Sequence, residues 1–274
     1  MNLAPLVLYA AALVAYGWHF AQRNPVVGRS ATTLLIFAAL AHTFVIGMMT
    51  MEAGHMPVVG ATPTISTFVW VLALAYLYTE LTTDERAMGV FILPMLVALQ
   101  AIPALRPSAA GESAMLRGPL FSIHVSTLLF AYASFALACV IGITYVLQFK
   151  EIKAKHLGFF YTRLPSLQVL DQMNRVAIVI GWIFLTVGLI VGVVWTEQAQ
   201  AYASLSPQLQ EMTVEDPKIL VALVCWVVYS FELFAARRMG WGGRRTAYLS
   251  LIGFAIVLIN IVPVSYFMTK SHNF

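Results

Sequence analysis

His42 lies inside an apolar segment, where an imidazole could bind a metal or transfer protons. It lies within ALAHTFVIGMM, about 16 Å from the inner end of an apolar span over residues 31–50, at about 1.5 Å per helical residue. Imidazole and charged groups are costly inside a membrane, so such a residue is a functional candidate. Two interpretations remain open. His42 is either hydrogen-bonded to the backbone of a neighbouring helix, or it is a heme ligand or proton relay.

Two further histidines lie near the ends of apolar segments. His124 occurs in GPLFSIHVSTLLFAYASF, and His272 occurs in the C-terminal TKSHNF. Neutral imidazoles can bind an iron axially through a ring nitrogen, so two of them on one membrane face could share one metal. The sequence alone does not show that they meet. The other histidines are expected to be exposed or interfacial, namely His19, His55 and His156.

Composition indicates that membrane helices position these histidines. Of the 274 residues, 60% are apolar and only 10% are charged, whereas soluble domains have about 25% charged residues. We predict an all-α, polytopic bundle with eight spans. They cover roughly residues 3–21, 31–50, 64–81, 87–105, 119–148, 175–196, 217–237 and 245–268. The fifth span should extend beyond the bilayer, and residues 1–274 are expected to form a single domain.

The basic residues orient the predicted bundle. Alternate loops contain 12 of the 16 lysines and arginines, four of them in the turn RRMGWGGRR. By the positive-inside rule, these loops are cytoplasmic and both termini are extracytoplasmic, together with His124 and His272. The net charge of +4 therefore reflects topology and does not indicate a nucleic-acid partner.

The remaining polar residues indicate no catalytic site. Glu232 should pair with an arginine of the basic turn or extend towards the headgroups. Cys139 and Cys225 lie at depths of about 30 Å and 12 Å in their spans, which makes a disulfide between them implausible. The sequence contains no CxxC or CxxCH, and no hydrolase, P-loop or dinucleotide-binding motif. Nothing predicts that the chain is an enzyme on its own.

Three segments resemble the CcsA/HemX-like branch of the cytochrome c assembly proteins. They are HVSTLLFAYASFALACVIGITYVLQ, LPSLQVLDQMNRVAIVIGWIFLTVGLIVGVVW and DPKILVALVCWVVYSFELFAARRMGWGGRRTAYLSLIGF. The resemblance implies an eight-helix protein of the bacterial cytoplasmic membrane that handles heme b non-covalently. It implies that His124 and His272 are axial ligands of the heme iron and that His42 is an intramembrane ligand. Another cytochrome c maturation protein is an expected partner.

The sequence departs from that family in the segment expected to present heme. Family members have a tryptophan-rich outer loop, whereas this chain has no tryptophan between Trp195 and Trp226 and reads TEQAQAYASLSPQLQEMTVEDPK. A histidine of the family is replaced by Phe234. Two functions are therefore expected as alternatives. One is a heme-handling protein that supports cytochrome c maturation or heme supply. The other is a non-catalytic membrane partner or regulatory subunit, acting in tetrapyrrole synthesis or ion transport.

Overall fold

The structure, a computed structural model, describes residues 2–106, 118–155, 158–201 and 217–260. All regular secondary structure within these ranges is helical. The eight helices are α1 (Leu3–Gln22), α2 (Pro25–Ala53), α3 (Ala61–Thr83), α4 (Gly89–Leu105), α5 (Pro119–Lys153), α6 (Leu167–Ala201), α7 (Pro217–Arg238) and α8 (Arg244–Ile259). The predicted all-α class is confirmed.

Six of these helices, α1, α2, α3, α5, α6 and α7, are long and apolar enough to cross a membrane. A helix satisfies its backbone hydrogen bonds internally, which is the requirement that a lipid environment imposes. The protein is therefore a multi-pass membrane protein. Helix α4 has 17 residues and α8 has 16 described residues. The extracytoplasmic position of both termini remains a prediction from the charges.

Two helices begin earlier than hydropathy predicts, because local capping sets their first residues. Helix α2 begins at Pro25 rather than at residue 31, and the Asn24 side chain accepts a hydrogen bond from the Val26 N–H at 2.9 Å. Helix α6 begins at Leu167 rather than at residue 175, and the Val169 N–H donates to Ser166 Oγ at 3.3 Å. These helices extend past their apolar segments into polar surroundings.

Helix α5 lies at the centre of the fold and packs against α3, α6 and α8. Small residues permit this close approach, as the sequence predicts. A Cβ at Gly181 of α6 would lie 2.5 Å from Phe135 Cε1 of α5, and one at Gly142 of α5 would lie 3.0 Å from the Ala247 carbonyl oxygen of α8. One buried hydrophobic cluster includes residues from all eight helices. Helix α5 therefore fixes the position of any site at its ends.

Candidate functional site

His124 lies in the second turn of α5, and α6 holds its ring in place. Its Nδ1 lies 2.8 Å from the Gly188 carbonyl oxygen. A carbonyl only accepts hydrogen bonds, so Nδ1 is the donor and a neutral ring has its lone pair on Nε2. Histidines that bind metals usually donate their other ring N–H in this way, which fixes both tautomer and orientation. The His124 geometry therefore suits a metal ligand.

Two further residues of α6, Gly192 and Trp195, also contact the His124 ring. Together with Gly188 they form what we call the His124 seat. The Trp195 indole lies nearly parallel to the imidazole, with an interplanar angle of 12° and a centroid separation of 6.2 Å. At Gly192, a Cβ would lie 2.6 Å from His124 Cε1. Only a glycine leaves room for the imidazole here. The spacing of Gly188, Gly192 and Trp195 places all three on one face of α6.

Apolar side chains surround Trp195 and shield this end of α5 from water. The buried residues of this second cluster are Val58, Val59, Phe121, Leu129 and Trp195. The Phe121 and Trp195 ring centroids are 5.1 Å apart. The α2–α3 segment also contributes His55, which is only 9% exposed and hydrogen-bonds through Nδ1 to the Met56 carbonyl oxygen at 2.9 Å. His55 is therefore buried, so the exposed position is wrong, and its place at the membrane interface stays a prediction.

His42 is fully buried between α1, α2 and α3, and side chains contact both of its ring nitrogens. Nδ1 lies 3.1 Å from the Tyr9 hydroxyl, and Nε2 lies 3.0 Å from Ser66 Oγ. The Ser66 hydroxyl donates in turn to Asn2 Oδ1 at 3.4 Å. The partners are hydroxyl groups of neighbouring helices rather than their backbone. This chain of polar groups suits a proton relay, and a metal at His42 would have to displace one of the hydroxyls.

His272 and most of the tryptophan-free segment lie outside the residues that the structure describes, as does His156. The distance between His124 and His272 is therefore untested, and their pairing stays a prediction. Within the described ranges, no group of three or more His, Cys, Asp or Glu side chains is placed to hold a metal ion. In the described part of the site, mostly apolar side chains surround the His124 imidazole. This is compatible with a macrocyclic cofactor whose own ring supplies the equatorial ligands.

The sequence interpretation missed a buried carboxylate near the end of α3. Glu80 is 1% exposed. One carboxylate oxygen accepts from the Tyr16 hydroxyl and the other from Thr32 Oγ1, each at 2.5 Å. The Arg86 Nε donates to the same Thr32 oxygen at 3.2 Å. Glu80 is the last residue but one of the predicted third span, and that position alone marks it as a candidate.

The basic turn between α7 and α8 is held by an aspartate of α6. Asp171 Oδ1 accepts a hydrogen bond from the Gly243 N–H at 2.6 Å and from Thr246 Oγ1 at 3.3 Å. Its Oδ2 forms an ion pair with Arg175 at 3.2 Å. Gly243 has φ 60°, which favours glycine. The LPSLQVLD and GWGGRR segments, distant in sequence, thus form one structural unit.

Comparison with known proteins identifies the family. The family model for the cytochrome C assembly protein matches residues 2–272. Protein HemX of Bacillus subtilis (strain 168) is 27% identical over 265 residues, covering 95% of this chain and 92% of that protein. Cytochrome c biogenesis protein CcsA of Guillardia theta is 25% identical over 260 residues, covering 87% of this chain and 83% of that protein. Because the family model matches nearly the whole chain, the chain belongs to the cytochrome c assembly protein family.

Proposed function

We propose that this protein binds heme non-covalently at the outer end of α5 and supports cytochrome c maturation or heme supply in the bacterial cytoplasmic membrane. His124, through Nε2, and His272 would hold the heme iron. The observation that carries this proposal is the His124 ring itself, whose Nδ1 donates to the Gly188 carbonyl at 2.8 Å and whose face lies parallel to Trp195.

The described residues fit a heme in their chemistry. A neutral imidazole with a fixed tautomer is a good iron donor. The buried side chains beside it, including Phe121 and Trp195, exclude water and favour an apolar macrocycle. When bound, heme supplies the iron that the imidazoles ligate and the group that a cytochrome receives. The chain's own contribution is to bind and orient it.

His42 has a separate role in this proposal. Its two hydroxyl partners, Tyr9 and Ser66, connect it towards Asn2 at the start of α1. We assign it either the intramembrane heme ligation that the family resemblance implies, with exchange of one hydroxyl partner, or proton relay along this chain of polar groups. Replacing His42 by alanine distinguishes the two. If His42 binds a second heme within the membrane, His42→Ala should lower the heme content of the purified chain. If His42 is a proton relay, the heme content should stay unchanged.

The proposal is tested on the full-length chain purified in detergent. We expect a Soret band in the visible spectrum and heme b in a pyridine hemochrome assay. His124→Ala and His272→Ala should each lower the heme content and alter the spectrum of what remains. His156→Ala, in the predicted cytoplasmic segment, is the matched control and should behave as the wild type. Absence of a Soret band, or a His124→Ala spectrum identical to the wild type, refutes heme binding at this site.

A second function is favoured by the tryptophan-free segment between Trp195 and Trp226. Alanine, serine and glutamine do not offer the flat aromatic surface that stacks on a porphyrin. A chain that retains the helices without that surface suits a non-catalytic partner or regulatory subunit of another membrane protein. This alternative predicts a stoichiometric partner in crosslinked membranes and no heme in the purified complex. Heme in the purified chain without any such partner argues against it.

A further inference from the structure

Glu232 is a second buried carboxylate, and the function proposed above does not use it. It lies on α7, six residues before the end of that helix, or about 9 Å along its axis. Its side chain is 1% exposed. Oε1 accepts a hydrogen bond from Ser250 Oγ of α8 at 3.0 Å, and Ser250 is positioned by Asn174 Nδ2 of α6 at 3.0 Å. Both expected arrangements are therefore wrong, because Glu232 neither pairs with an arginine of the basic turn nor extends towards the headgroups.

The second oxygen of Glu232 has no hydrogen-bond partner among the described residues. A buried polar atom without a partner is costly, and a carboxylate oxygen especially so. One turn deeper on α7, the fully buried Tyr229 hydroxyl also lacks a partner in the same ranges. The two atoms lie three residues apart on one face of α7, and a buried polar atom without a partner in the described structure calls for a physical explanation.

A small, partly open cavity lies beside Glu232. Its lining comes from α6, α7 and α8 and consists of Asp171, Asn174, Arg175, Ile178, Glu232, Leu233, Ala236 and Thr246. It has room for a single water-sized particle. It lies where α6 begins, α7 ends and α8 begins, which the basic residues assign to the cytoplasmic face. Glu232 is thus buried near the predicted cytoplasmic end of the bundle.

The other charges that face this cavity compensate one another. Asp171 Oδ2 pairs with Arg175 at 3.2 Å, and Asp171 Oδ1 is occupied by the Gly243 N–H. From α8, the Arg244 guanidinium lies over the Phe149 ring of α5, 5.3 Å from its centroid. Glu232 is therefore the carboxylate that no cation of the described chain neutralises.

The remaining titratable and charged groups lie around the edge of this region. The Tyr145 hydroxyl of α5 lies next to Gly243, the Arg245 guanidinium lies over the Trp241 ring at 5.1 Å, and Arg237 and Arg238 are exposed at the end of α7. None of them pairs with Glu232 in the described structure.

We propose that the cavity beside Glu232 is a binding site for one small monovalent cation, a proton carried on water or a sodium ion. The uncompensated carboxylate excludes an anion as the ligand. A divalent cation is poorly balanced by one carboxylate, and the other carboxylate of the lining, Asp171, is already paired with Arg175. Glu232, Asn174 and Thr246 are among the lining residues and carry side-chain oxygen atoms, the donors that such ions prefer. Glu232 binds the cation, and Asn174 is a positioning residue that acts through Ser250.

A hydrophobic carbodiimide tests the site on the full-length protein in detergent or nanodiscs. Dicyclohexylcarbodiimide reacts with protonated carboxyl groups in apolar surroundings, and mass spectrometry locates the adduct. We expect an adduct on Glu232 that is lost in Glu232→Gln. Saturable protection by sodium chloride, but not by choline chloride, identifies sodium. Loss of the adduct only on raising the pH identifies a proton. Asn174→Ala should shift the half-protecting sodium concentration by about tenfold, or the half-protecting pH by about one unit.

Glu85→Gln is the matched control, because Glu85 is a half-buried carboxylate in the α3–α4 turn. It should leave the Glu232 adduct and its protection unchanged. The proposal is overturned if wild-type Glu232 forms no adduct at any pH, or if its adduct responds to neither sodium nor pH. The wild-type titration requires no variant, so the test holds even if Glu232→Gln fails to fold.

Discussion

The substitution Gly192→Ala alters the His124 seat and leaves the imidazole itself unchanged. The added methyl carbon would lie 2.6 Å from Cε1 and 2.8 Å from Nδ1 of the imidazole. These distances are below any van der Waals contact, so the ring must move. Backward movement is limited by the indole of Trp195, which is 5% exposed and packed in its own cluster. The ring therefore has to leave its hydrogen bond to Gly188.

The size of the effect follows from what the displaced ring loses. A hydrogen bond contributes about 0.5–1.5 kcal/mol, and an aromatic pair contributes a further ~0.5–1.5 kcal/mol. Loss of the partner that orients a metal-binding histidine lowers metal affinity by about 10–100-fold. We therefore expect Gly192→Ala to weaken heme binding by about that factor and to change the spectrum of the bound heme. Titration of the purified chain with heme, followed by visible absorbance, measures it.

Gly181→Ala is the control for general packing damage. It creates a clash of the same size between the same two helices, with its methyl carbon 2.5 Å from Phe135 Cε1, but about 16 Å along α6 from Gly192. It should lower thermal stability and leave heme affinity nearly unchanged. Gly47→Ala, where a Cβ has nothing within 4 Å, should change neither. Wild-type heme affinity in Gly192→Ala, or an equal loss in Gly181→Ala, refutes the role of the His124 seat.

Two further substitutions address the buried polar contacts. His42→Phe should destabilise the protein by about 1–3 kcal/mol, because it removes the ring partner of the buried Tyr9 hydroxyl, whereas Ser66 keeps its hydrogen bond to Asn2. Thermal unfolding in detergent measures the loss, and a melting temperature equal to the wild type contradicts it. Asp171→Asn should weaken the Gly243 hydrogen bond by about 1 kcal/mol, because the amide oxygen still accepts but carries no charge. Hydrogen exchange in the α7–α8 turn should accelerate while exchange in α1 stays constant, and equal protection in both proteins would count against this role.

The helix starts show which boundaries hydropathy predicts and which it does not. The α5 start at Pro119 and the α7 start at Pro217 were predicted correctly, because a proline begins each apolar segment. The α2 and α6 starts were wrong by six and eight residues. There, capping side chains extend the helix into polar sequence, which a search for apolar spans does not include.

The candidate site was only partly predictable. His124 was found because an imidazole at the end of an apolar segment is unusual. Its seat was not found, because glycines of α6 suggest close helix contact without indicating which side chain they accommodate. Glu80 was missed, although a carboxylate inside a predicted span is a detectable signal.

The sequence by itself determined the class of this protein: a multi-pass helical membrane protein of the cytochrome c assembly family. It could do so because a membrane requires each spanning segment to satisfy its own backbone, so the number and length of apolar segments are local properties. Only the tertiary structure decided that His124 rests on Gly188, that Asp171 holds the basic turn and that Glu232 is buried without an arginine. These contacts join residues 18 to 72 positions apart in the chain. They depend on the rotation of each helix about its axis, which packing fixes and hydropathy does not encode.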